Sequence, residues 1–76
     1  MDVFGIAQIV YWHRKKAGLS RERCAQLAGV GKTAVYDLEH AKPTIQLDTL
    51  MKILDVLNIQ VRLESQLMEQ YQHEKS

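Results

Sequence analysis

The sequence predicts an all-α fold: a compact bundle of four to five short helices, closed by a short C-terminal β-strand that pairs across a homodimer. Three observations predict it. Apolar residues recur at helical spacing from Ile6 to Leu57, the 3.6-residue periodicity of amphipathic helices. Helix-ending residues, Gly18, Gly29, Pro43 and Asn58, punctuate that pattern at short intervals. After Asn58 the period changes from 3.6 to 2, the pattern of a half-buried strand.

In the first helix Ile6, Ile9, Val10, His13, Arg14 and Ala17 form the stripe, and Gly18 stops it. Ser20 caps a second helix through Cys24, Leu27 and Ala28, which ends at Gly29; Leu27, Val30, Val35 and Leu38 are expected to fill its junction with the next helix. A third runs from about Lys32 to Glu39, with Val35 and Leu38 inward. Pro43 excludes continuation because it lacks an N–H and restricts its predecessor. The fourth spans about Leu47 to Leu57, with Asn58 as a left-handed cap. Its apolar arc is wide: Leu47, Leu50, Met51, Leu54 and Leu57 close the core, while Ile53 and Val56 lie beyond the stripe. In residues 59–64, Ile59, Val61 and Leu63 alternate with Gln60, Arg62 and Glu64. A lone strand cannot satisfy its own backbone groups. Ile53, Val56, Ile59, Val61 and Leu63 are therefore expected at a dimer interface. The division is a helix-turn-helix unit at 1–58, a dimerisation strand at 59–64 and a polar tail at 65–76. Two readings of that tail stay open, a short helical stripe of Leu67, Met68 and Tyr71 or a frayed end.

Composition narrows the function. Seventy-six residues with 46% hydrophobic and 25% charged side chains suit one small globular domain with little room for a deep catalytic pocket. One cysteine excludes an intrachain disulfide and suits a reducing compartment. No apolar run approaches the roughly 20 residues of a membrane span, and no basic segment opens a signal peptide. The expectation is a cytoplasmic binding module, not an enzyme. His13, His40 and His73 lack zinc spacing, so neither metal nor cofactor is expected. The net charge is only +1, yet from His13 to Lys42 seven cations stand against three anions. Beyond Pro43 the balance is acidic, three cations against five anions, a dipolar layout.

The stretch SRERCAQLAGVGKTAVYDLE has the helix–glycine turn–helix form of a DNA-binding motif. On its second helix Lys32, Thr33, Tyr36, Asp37 and His40 point outward, all able to hydrogen-bond to base edges in a major groove. Ser20 and Arg21 open one helix, Gly31 and Lys32 the next, and such N-termini offer amides to phosphate. Lys42 follows as a backbone contact. Arg14 and Glu39 both fall on inward positions, so they are expected to pair and resolve two misplaced charges.

With these residues in view, about Ile9 to Ile59 resembles the lambda-repressor-like (Cro/XRE-family) helix-turn-helix domain. HRKKAGLS, the helix-turn-helix block, LEHAKP and LDTLMKILDVLNI carry the resemblance. It implies a homodimer on palindromic operator DNA, with two recognition helices about 34 Å apart. It also implies Arg21 as a phosphate or base contact, Lys32, Thr33, Tyr36 and Asp37 as base readers, and Arg14–Glu39 as a buried ion pair. Departures from the family are Arg21 where glutamine is usual and Gly31 where a serine or threonine cap is usual. His40-Ala41 replaces asparagine-glycine, and His13 replaces leucine. The short length and the segment IQVRLE look like HipB-type antitoxins, which implies an autorepressor that binds a HipA-type kinase toxin. The alternatives are a phage-type repressor or restriction–modification controller without a toxin, and a protein-interaction module that does not bind DNA.

Overall fold

A computed structural model describes residues 2–75. They form five helices: α1 (Val3–Lys16), α2 (Arg21–Ala28), α3 (Ala34–Glu39), α4 (Leu47–Val56) and α5 (Met68–Lys75). No strand forms among the described residues, and no described helix is long and apolar enough to cross a membrane.

Local chemistry sets most boundaries. Asp2 caps α1 by accepting from the Gly5 amide at 2.8 Å, and Gly18 reverses the chain at φ +71°. The Ser20 hydroxyl accepts from the Arg23 amide at 3.0 Å and opens α2. Gly29, at φ +70°, ends it, and the Val30 amide bonds back to the Ala25 carbonyl at 3.1 Å. α3 begins later than the predicted Lys32. Gly31 has no side-chain acceptor and Thr33 makes no capping bond, so a tight turn from the Ala34 amide to the Gly31 carbonyl precedes the helix. α3 ends without glycine: Ala41 takes φ +58°, and the Lys42 amide reaches the Asp37 carbonyl at 3.0 Å. Asn58, also at φ +58°, ends the fourth helical segment.

The core lies among the first four helices. Val10, Cys24, Ala25, Val35, Leu38, Ile53, Leu54 and Leu57 form its buried cluster, with Ala7 also buried at the inner side of α1. Three expectations need correction here. Ile53, expected at a dimer interface, is fully buried in the core of the single chain. Leu47 and Met51, expected inside, are 72% and 37% exposed. The inward face of α4 is thus Leu50, Ile53, Leu54 and Leu57, rotated from the predicted stripe. An arc this wide permits several rotations, and packing on α2 and α3 selects one. Leu27, expected to fill the junction of α2 and α3, is half-exposed.

The strand expected over 59–64 is absent from this chain, since an extended segment forms a ladder only beside another. Ile59 and Val56 pack partly against the core, whereas Val61 and Leu63 are 49% and 78% exposed. α5 buries none of its residues.

Candidate nucleic-acid interface

The geometry that presents α3 begins with one buried carboxylate. Arg14 is 5% exposed on the inner face of α1, where an unpaired guanidinium would be costly. Its Nε donates to Glu39 Oε2, its Nη2 to Oε1 at 3.0 Å, and its Nη1 to the Leu19 carbonyl at 2.8 Å. Arg21, at the start of α2, adds a second cation, Nε donating to Glu39 Oε1 at 3.0 Å. One carboxylate thus joins the last turns of α1, the loop before α2, the first turn of α2 and the end of α3. Burial pushes the Glu39 carboxyl up, but hydrogen bonds from Arg14 and Arg21 outweigh it and hold the group below the usual carboxylate range. The Arg14 guanidinium is shifted upward by its bond to Glu39, against the opposing effect of burial.

This arrangement changes the part expected of Arg21. Its Nε is committed to Glu39, and its guanidinium carbon lies 5.5 Å from the centroid of the Tyr36 ring, within cation–π range. Tyr36 in turn stacks on His40, centroids 3.8 Å apart and planes 21° from parallel, while His40 Nδ1 lies 2.7 Å from the Tyr36 carbonyl. Arg21, Tyr36 and His40 therefore form a column of side chains with restricted rotamers on the outside of the helix pair. The stack was legible in principle, because residues four apart share a helix face. The Arg21–Glu39 bond was not, since it joins separate elements.

Thr33, Tyr36, Asp37 and His40 fall at i, i+3, i+4 and i+7, so α3 and its first turn present them along one side. Tyr36 is 49% exposed, and Lys32, Thr33 and His40 are exposed as well. Asp37 is less open: Lys42 Nζ lies 3.8 Å from its Oδ2. That cation offsets a charge that would otherwise repel phosphate. Beside this pair lies a cavity of about 180 Å³ lined by Gly31, Thr33, Asp37, Lys42, Thr44 and Thr49, among others. Ser20 is exposed, its hydroxyl engaged as the α2 cap. Gly31 is exposed in the turn, its carbonyl taken by Ala34. His13 is half-buried, with Nδ1 2.7 Å from the Ile9 carbonyl. Among the described residues no group of His, Cys, Asp and Glu is placed to hold a metal.

Two short helices meet across a glycine turn, the first capped by Ser20 and the second showing a polar face. Residues 10–63 match the family described as helix-turn-helix. The chain belongs to the helix-turn-helix family. A curated relative, named as an uncharacterised HTH-type transcriptional regulator, y4mF, of Sinorhizobium fredii, is 33% identical over 60 residues. That match covers 79% of this chain and 75% of the relative. The matched segment contains the Arg14–Glu39–Arg21 cluster, α2, α3 and α4, and stops before α5.

Proposed function

We infer that this helix-turn-helix protein is a DNA-binding transcriptional regulator, and propose that it acts as a dimeric repressor of its own operon. The observation that carries this is the row of exposed Lys32, Thr33, Tyr36 and His40 with the half-buried Asp37 among them, on one side of α3 and its entry turn. Lysine can donate to guanine O6 and N7, threonine can bond or place its methyl on thymine, and aspartate can accept from cytosine N4. Ser20 and Gly31, at the entries to the two helices, bring backbone amides toward phosphates, and Lys42 adds a charge in the following loop. Arg21 serves more as a strut for Tyr36 than as a free phosphate contact.

The homodimer in this reading uses the outer edge of α4 and residues 59–64. Leu47, Met51, Val61 and Leu63 are exposed there, a concentration of apolar side chains that a twin subunit would cover. Val61 and Leu63 alternate with Arg62 and Glu64, so the segment is patterned to form a ladder once a second copy supplies the neighbouring backbone. Two recognition helices related by a twofold axis read half-sites one DNA turn apart. The alternating pattern of residues 59–64 supports the further reading of a HipB-like antitoxin whose partner is a HipA-type kinase toxin, within the cytoplasm.

A mobility-shift assay with the DNA upstream of the gene, followed by copurification with the product of the adjacent reading frame, tests both parts. Lys32→Ala combined with Thr33→Ala is expected to abolish preference for the upstream DNA, leaving only weak nonspecific binding. An unchanged specific shift in that variant would overturn the base-reading assignment and favour a protein-interaction module. A specific shift with no kinase-like partner encoded nearby would instead favour a phage-type repressor or a restriction–modification controller.

A further inference from the structure

α1 carries a second apolar face, turned away from the core side of Ala7, Val10 and Arg14. Phe4, Gln8 and Trp12 follow one another along it at four-residue spacing. Phe4 is 69% and Trp12 57% exposed, and Tyr11, on the same side, is half-exposed. The chain's only phenylalanine and only tryptophan therefore both meet water here, although such rings ordinarily supply buried area and anchor interfaces. Gly5 stands beside Phe4 without a side chain. A Cβ there would meet only the Asp2 carboxylate, at 3.5 Å, so a ring from another molecule can approach the backbone.

The two ends of this face differ in charge. Asp2 precedes the helix, Lys15 and Lys16 close it, and all three are exposed. Among the described residues neither lysine pairs with a carboxylate. Lys16 instead holds its Nζ 5.5 Å from the centroid of the Trp12 ring, which carries the positive end onto the aromatic face. An anionic surface would match the lysines and repel Asp2. A second α1 laid end for end matches both ends at once. Its lysines fall beside Asp2, and its dipole runs opposite to the first. Phe4 and Trp12, eight residues and about 12 Å apart along the axis, then exchange places about a centre near Gln8. A surface complementary to its own reversal is what a twofold contact requires.

We propose that the outer face of α1 is an interface with a second copy of this chain. The two α1 helices pack antiparallel, Phe4 of each against Trp12 of the other, with Asp2 beside Lys15 and Lys16. This contact shares no residue with the α3 row or with residues 47–63, so it is separate from the homodimer surface proposed above and does not rest on it. A subunit that uses both surfaces joins one dimer to the next.

The single tryptophan reports on this contact directly. The test uses the full chain carrying Val61→Asp and Leu63→Asp, which removes the other apolar surface. Trp12 emission is expected to move to shorter wavelength as protein concentration rises, in step with a change from monomer to dimer in sedimentation. Adding Phe4→Asp is expected to weaken this association by about tenfold or more, with helical circular dichroism retained because Phe4 is exposed. Lys15→Glu with Lys16→Glu is expected to weaken it as well, through repulsion from Asp2. Gln8→Cys, near the twofold axis, is expected to give a disulfide-linked dimer after mild oxidation, and Glu22→Cys, exposed on α2, none. The native Cys24 is fully buried and stays silent. A chain that remains monomeric with emission independent of concentration would overturn the proposal, as would a Gln8→Cys variant that links no faster than Glu22→Cys. A blue shift that appears only on adding phosphatidylglycerol vesicles would also overturn it and assign the face to an anionic surface. None of these outcomes depends on DNA binding.

Discussion

Glu39 bears more consequence than any other single side chain in the molecule. Its side chain is 1% exposed and faces both Arg14 and Arg21. Removing the carboxylate strands two guanidinium groups, one of them buried. Glu39→Ala is expected to cost about 3–5 kcal/mol, read as a large fall in melting temperature. The same group makes stability acid-sensitive. Its folded pKa lies below the ordinary value, so the ionised form stabilises the fold. That contribution is complete above the unfolded value of about 4.3 and is lost as pH falls through the folded pKa. A urea midpoint followed downward from pH 6 should therefore decline below about pH 4.3, and the decline should be smaller in Glu39→Gln. Cys24, by contrast, is inert: burial pushes its thiol pKa up, and it should resist alkylation until the protein unfolds.

The short helices show what capping chemistry decides and what it cannot. Ala41 occupies a left-handed conformation at φ +58°, which costs an L-residue roughly 1–2 kcal/mol. Glycine removes that strain but loses more entropy on folding. Ala41→Gly is thus expected to stabilise by about 0.5–1 kcal/mol, seen as a rise in the denaturation midpoint, with the end of α3 unchanged. α3 is only six residues long, too short to hold itself. Its direction comes from Val35 and Leu38 in the core and from Glu39 beneath it. The Tyr36–His40 stack adds rigidity on the outer face. Tyr36→Ala is expected to weaken specific DNA binding by freeing His40 and Arg21 together, while thermal stability changes little.

Along the chain, charge is divided between a cationic stretch from His13 to Lys42 and a more acidic one beyond Pro43. The cations from Arg14 to Lys42 cluster on the helix-turn-helix half, so DNA affinity should fall steeply with added salt, roughly one counterion per phosphate neutralised. A titration of binding against salt measures that slope, and a flat response would contradict the proposed contacts. The more acidic half packs α4 on α2 and α3 and leaves Leu47, Val61, Leu63, Leu67 and Tyr71 exposed.

Gly18, Ser20, Gly29, Pro43 and Asn58 made the helix boundaries readable from the chain alone, because capping and turn chemistry act over a few neighbouring residues. The outward spacing of Thr33, Tyr36, Asp37 and His40 was readable for the same reason, being a property of one helix. The rotation of α4, with Ile53 inside and Met51 outside, was not: its apolar arc accepts several orientations, and only packing on α2 and α3 chooses among them. Arg21's bond to Glu39 was equally hidden, since it links residues eighteen apart whose approach no local periodicity encodes. Short-range sterics and hydrogen bonding determined the elements. Long-range packing, which must fill one core from four helices at once, decided which faces they turn to each other and which they leave exposed.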